Sequence, residues 1–279
     1  MKLNSLLLFI ISFLLISCGI GKLKFVADLP NSLKETSAIE KLNGSDLLWV
    51  IEDAGNKNNL YGLNENGQII KDIDIDNVQN IDWEDLTSDN DGNIYIGDFG
   101  NNSKKRKRYA IYKVHKPHLA ESQTDAEVIT FELPKDFKSM DFESFFLLDD
   151  QFFIFSKSDK HCRLFTLPNV IGHHEAQFNS EVKWKGKHNK VTSAAISPDG
   201  RSIVLLNHDK LWRITQFSPK NIMNGNMVSI PFEHNSQKEG IYFLNNKTVL
   251  ITDEQVKGEG GNIYRFELPK HLEVKSKSE

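Results

Sequence analysis

The chain has 279 residues, with 34 Lys and Arg against 38 Asp and Glu, giving a formal net charge of −4. So small an acidic excess gives no footing for a nucleic-acid partner, which calls for a basic face. Two cysteines, Cys18 and Cys162, leave folding to core burial, which a chain of this length supplies without cross-links.

Met1-Lys2 is followed by the apolar run LLLFIISFLLIS, which ends at LISCG. The pattern predicts a secretory leader over residues 1–17, too short for a comfortable membrane span. Leu15-Ile16-Ser17-Cys18 resembles a bacterial lipobox, which implies cleavage before Cys18 and acylation of that residue. Residues 18–22 would then be a lipidated anchor, 23–268 the folded body and 269–279 a disordered tail. The expected location is the bacterial envelope, with the lipid as the membrane contact. The Gly after Cys18 resembles outer-membrane rather than inner-membrane sorting. Once Cys18 is acylated, Cys162 has no disulfide partner, and the body is expected to be a monomer.

Beyond the leader, short apolar runs such as LLWVIE, NIYIGD, QFFIFS, SIVLLN and TVLITD are bounded by Gly, Asn and Asp. They predict strands throughout and no helix of three turns. One unit recurs five times. It opens at Thr36, Glu84, Glu143, Thr192 and Glu239, spaced by 48, 59, 49 and 47 residues. After each opening come a tight turn, the hydrophobic strand, a loop and a third strand, with a fourth closing most units. Four strands in such a period are one propeller blade. The last unit lacks its fourth strand, and LKFVADLP ahead of the first unit supplies one. The fold expected is therefore all-β, a single propeller of five four-stranded blades closed by the N-terminal strand. A degenerate sixth blade inside 115–140 or 168–190 stays open. SDNDGN has the look of a calcium loop, but its Asp-Gly between two strands predicts a hairpin turn.

Propeller topology puts the start of each inner strand and the end of the next strand at one face. The starts are Thr36, Glu84, Glu143, Thr192 and Glu239. The ends are Asp53, Asp98, Lys157, Asn207 and Asp253. These ten residues are expected to ring one mouth of the channel, six of them acidic and one cationic. Carboxylates so gathered repel unless neutralised. A hard cation would neutralise them, and Ca²⁺ suits an oxygen-rich set. The alternative is that they cap backbone amides, pair with Lys157 or face water. His208, next to Asn207, is the one candidate general base there.

DWEDLTSDNDGNIYIGDFGNN, DFESF and KEGIYFLNNKTVLITDE resemble bacterial exported propellers of the SdiA-regulated type, and more distantly NHL-repeat and SMP-30/gluconolactonase-like propellers. The first resemblance implies a fold and an envelope location. The last implies a divalent metal held by acidic side chains at inner-strand starts, to which Glu84, Glu143 and Glu239 correspond by position.

The basic run Lys104 to Arg108 falls in a loop at the same face, as a solvated hairpin or as a cover for the acidic ring. His173-His174 has no zinc-site spacing, and no nucleophile elbow, P-loop or dinucleotide fingerprint occurs. Two functions follow. One is a lipid-anchored module that binds a protein or small molecule at its acidic face. The other is a metal-dependent hydrolase of lactones or phosphoesters at the same mouth.

Overall fold

The computed structural model describes residues 20–269. The leader, Cys18 and the tail beyond Pro269 lie outside the described residues. The described chain forms five antiparallel sheets in a ring, a five-bladed β-propeller, with two single-turn 3₁₀ segments as its only helical structure.

The inner strands of blades one to five are Thr36–Lys41, Trp83–Ser88, Phe142–Leu148, Ala194–Ile196 and Lys238–Asn245. Each pairs with the strand after it, and the sheet continues outward in sequence order. The fifth blade is completed by Lys24–Asp28, antiparallel to Asn262–Glu267. The first strand of the body thus closes the ring and joins the two ends of the described chain in one sheet.

Apolar runs read as near-continuous because both faces of each blade are covered. The second strand of blade one, Leu48–Glu52, is buried at all five positions. Alternate residues face opposite ways. Trp49 and Ile51 pack against Trp83, Ile94 and Ile96 of blade two, whereas Leu48 and Val50 pack against Leu250 and Ile263 of blade five. Each of the five hydrophobic clusters occupies one interface between neighbouring blades. The interface of blades two and three is the most aromatic. There Phe142 has Phe99, Tyr109, Phe131 and Phe165 around it at centroid distances of 6.4, 5.2, 6.3 and 5.9 Å. Cys162 is buried between blades three and four, where burial pushes its thiol well above the ordinary range.

The long connections build no sixth blade. Gln123–Thr124 lies parallel to the outer strand Ile69–Ile75 of blade one. Gly172–Glu175 lies parallel to the outer strand Ala126–Glu132 of blade two. Each adds a short fifth strand to a neighbour and covers an edge that would otherwise present unpaired backbone groups.

SDNDGN is a hairpin turn, with Gly92 at φ +83°. The Asp89 carboxylate accepts from the amides of Asp91 and Asn93, at 3.0 and 2.9 Å, and from the Tyr95 hydroxyl at 3.0 Å. Those donors hold the Asp89 carboxyl below the usual range despite partial burial, and its oxygens serve the turn.

Candidate functional site: the acidic mouth

Four inner strands begin with the same irregularity. The register slips between Thr36 and Ala38, Trp83 and Asp85, Phe142 and Ser144, and Lys238 and Gly240. The bulged residues are Ser37, Glu84, Glu143 and Glu239. A bulge re-aims a side chain, and here it supplies three glutamates to the mouth. Blade one spends its position otherwise: Ser37 Oγ donates to Trp83 O at 2.9 Å. Thr36 Oγ1 donates to Leu33 O and Thr192 Oγ1 to Lys238 O, so the two buried threonines cap backbone carbonyls instead of lining the opening.

Hairpin length redistributes the second-strand ends: Ser88 pairs with Ile94 in blade two, Leu148 with Gln151 in blade three. Asp98 lies opposite Trp83 and Asp253 opposite Lys238, and both carboxylates are fully buried. Asp98 accepts from Arg106 Nη1 at 2.7 Å and from the Tyr112 hydroxyl at 2.7 Å. Asp253 accepts from Asn262 N at 2.8 Å and from the Tyr264 hydroxyl at 3.0 Å. Each ties its loop to the third strand. Asn207 is also buried, donating from Nδ2 to Lys190 O at 2.5 Å. Arg106 is thereby spent on Asp98, while its neighbours Lys104, Lys105, Lys107 and Arg108 are exposed. The basic run is a solvated hairpin anchored at its middle residue.

One residue further on stand Asp53, Lys157 and Glu254. Their amides donate to the carbonyls of Glu35, Asp141 and Gln237 at 3.0, 2.9 and 2.9 Å, which holds all three at the start of an inner strand. The residue before the strand is acidic in three blades: Glu35, Asp82 and Asp141. The mouth is therefore built from the bulge, the position two before it, and the position after the second strand.

Three of these groups converge. Carboxylate oxygens of Asp53, Asp82 and Glu84 lie within 4.8 Å of one another. Asp82 stands just before the strand and Glu84 is its bulged residue. Both press on Gly100, where a Cβ would overlap Glu84 Oε1 and Asp82 Oδ2. Burial and then the Asp53 charge push the Asp82 carboxyl up to about 7, and burial raises Asp53 as well. Glu84 is raised too, by burial first and then by Glu143, Asp53 and Asp82.

The other two glutamates have partners. Glu143 pairs with Lys157. Burial works against the Lys157 charge, but Glu143, Glu239 and Glu84 outweigh it and hold the ammonium above the ordinary lysine range. Glu239 Oε1 lies 3.1 Å from His208 Nε2. Burial, then Glu239 and Asp53, push Glu254 up to about 8. Of the predicted metal ligands, Glu84 thus sits in the three-carboxylate cluster, Glu143 faces an ammonium and Glu239 faces an imidazole. Asp53 joins the cluster, and Asp82 is not among the residues that the repeat points to. Its signal lies in DWED, where two carboxylates stand at i and i+2.

Below the cluster the axis is closed by Asp85, which the repeat does not single out either. It is fully buried and accepts from Leu86 N at 3.0 Å, Phe145 N at 3.1 Å, Ser193 Oγ at 2.9 Å and Ala194 N at 3.3 Å. Burial pushes its carboxyl up, and these four donors pull it back.

No family model and no curated protein matches the sequence. Solved structures do match in fold. A PQQ-bound aldose sugar dehydrogenase from Streptomyces coelicolor is 10% identical, over 88% of this chain and 98% of that chain, with a TM-score of 0.54. A gluconolactonase from Xanthomonas campestris is 9% identical, over 90% of this chain and 88% of that chain, with a TM-score of 0.48. At such identities the likeness is one of fold: the chain is similar to propellers.

Proposed function

We propose that this propeller is a ligand-binding module of the bacterial envelope whose acidic mouth takes a hard divalent cation, calcium first, between Asp53, Asp82 and Glu84. The observation that carries the reading is the convergence of three carboxylates on a glycine that leaves room for them. An all-oxygen set is suited to Ca²⁺ and ill suited to Zn²⁺. Lys157 supplies the internal positive charge for Glu143, so the cation's place is on the blade-two side of the mouth. The cation would screen the ring and offer open coordination positions to a hydroxyl- or carbonyl-bearing ligand.

The leader and Cys18 support lipid anchoring, which fatty-acid labelling that is lost in Cys18→Ser would bear out. Calorimetric titration of the full chain with Ca²⁺ tests the cation site. One ion per chain, lost in Asp82→Asn and in Glu84→Gln, is expected. No heat with either Ca²⁺ or Mn²⁺ would sink the reading.

His208 favours a second reading, the metal-dependent hydrolase. A bound divalent ion would polarise a carbonyl or phosphoryl oxygen. With Nε2 directed at Glu239, His208 keeps Nδ1 to accept a proton from water. Turnover of a lactone or phosphoester panel that needs the cation and falls at least about 100-fold in His208→Ala, the scale of general-base catalysis, would decide for it.

A further inference from the structure

The opposite end of the channel holds a second cavity, of about 680 Å³, separated from the acidic mouth by Asp85 and its donors. All five inner strands contribute to its wall. Its volume lies in the range of small-molecule sites.

Its chemistry differs from that of the mouth. The wall carries half-buried apolar side chains, Leu147, Leu148 and Ile196, together with the ring of Tyr242. Against them stands one buried carboxyl, Glu40, 8% exposed, whose Oε1 accepts from Lys41 N at 2.8 Å, while the half-buried Asp89 also lines the cavity with its oxygens taken by the turn. At the rim, the turn tips bring Asp91, Asp149, Asp150 and Asp199 to the opening, all exposed, against Lys41 as the cation lining it. A rim of this sign attracts cations and repels anions. A single buried carboxylate is too few ligands to strip water from a divalent ion. It is the right number for one ammonium.

We propose that this cavity binds a small amphipathic primary amine, its ammonium paired with Glu40 and its apolar body against Leu147, Leu148, Ile196 and Tyr242. Burial pushes the Glu40 carboxyl up to about 8, so an amine of ordinary basicity takes its proton and the two form an ion pair. The Glu40 charge then gains a countercharge beside its neutral partners, the Lys41 amide and the Ser88 side chain. Ser88, whose side chain bonds Glu40, positions the carboxylate from blade two.

The test is a matched series of probes on the purified full chain, followed by calorimetry or saturation-transfer NMR: 4-phenylbutylamine, 4-phenylbutanol and 4-phenylbutanoate. The amine is expected to bind at least about tenfold tighter than the alcohol, and the acid not at all. Glu40→Gln, near-isosteric, is expected to erase the preference for the amine while the melting curve stays cooperative. Asp149→Asn with Asp150→Asn, both at turn positions that Asn tolerates, is expected to weaken amine binding at low salt and not at high salt. Equal binding of amine and alcohol by the unmodified chain overturns the proposal, as does absence of amine binding or an unchanged amine affinity in Glu40→Gln. The probe series needs no variant, so if Glu40→Gln fails to fold, the three probes on the unmodified chain still decide the matter.

Discussion

Asp85 of the second blade and Ser193 of the fourth are joined by a 2.9 Å hydrogen bond across the axis of the ring. The same carboxylate takes the amides of Phe145 and Ala194, so one side chain ties three blades together at the point where no backbone ladder does. Replacing it with alanine strands three buried donors from other blades. At about 1–3 kcal/mol for each unmet buried group, the loss comes to about 3 kcal/mol or more. Asp85→Asn would be damaging too, because its amide would point a donor at donors. Urea unfolding of the two variants checks this. Unchanged midpoints would mean that the ring is held by its blade interfaces alone.

The acidic mouth makes stability depend on pH in a definite direction. Asp82, Glu84 and Glu254 all have carboxyls raised above their unfolded values. Between the unfolded value near 4 and the folded values, about 7 for Asp82 and about 8 for Glu254, the folded chain binds more protons than the unfolded one. Stability therefore falls as pH rises through this window. Glu40, about 8, acts in the same sense. Lys238, lowered to about 8 by burial, acts oppositely but only above that pH. The melting temperature without added cation is expected to drop steadily from pH 5 to pH 8. Calcium should flatten the drop, and its affinity should climb as Asp82 loses its proton near pH 7. A melting temperature that rises over the same range would contradict the assigned burial of these groups.

Gly100 separates the cation site from the fold. Its φ is outside the left-handed region, so alanine meets no backbone strain there, only the carboxylates of Asp82 and Glu84. Gly100→Ala is expected to move those oxygens apart and weaken calcium binding by about tenfold or more, an energy near 1.4 kcal/mol. Calorimetry beside a melting curve reads the two effects independently. Full calcium affinity in this variant would place the ion elsewhere in the mouth.

The blade architecture is legible in the sequence because it rests on local signals. Apolar strands, Asp-Gly turns and a repeated period are written residue by residue, and ring closure follows from one missing and one spare strand. The site is legible only to within a residue. Counting along the strands places Asp98, Lys157 and Asp253 at equivalent positions, yet Asp98 and Asp253 correspond to Ser156, which lies opposite Phe142. The offset comes from hairpin length: Ser88 pairs with Ile94 in blade two but Leu148 with Gln151 in blade three, a pairing that no count along one strand carries. The same offset makes the repeat pass over Glu254, which follows Asp253 as Lys157 follows Ser156; Asp82 precedes the strand and so falls outside the unit that the repeat counts. Asp85 is invisible for another reason: its partners lie 60 and 108 residues away in sequence.

Lys157 and Glu143 offer the sharpest test of how the mouth balances its charge. The ammonium and carboxylate are paired in a nearly buried position, with side-chain exposures of 17% and 2%. Removing one member of a buried pair leaves the other uncompensated and costs about 3–5 kcal/mol, whereas replacing both with neutral groups of similar size is often close to neutral. Lys157→Met alone is expected to be the costlier change, because Glu143, Glu84 and Glu239 all lose their shared countercharge. Glu143→Gln alone should cost less, since Lys157 keeps Glu239 and Glu84 within its field. The double variant should recover part of the Lys157→Met loss. Calcium adds a second axis: with Lys157 gone, a cation becomes the mouth's remaining counterion, so Lys157→Met should bind calcium more tightly than the unmodified chain. Urea unfolding with and without calcium measures both. A Lys157→Met chain that loses stability but gains no calcium affinity would show that Lys157 acts on Glu143 only and leaves the Asp53, Asp82 and Glu84 cluster unscreened.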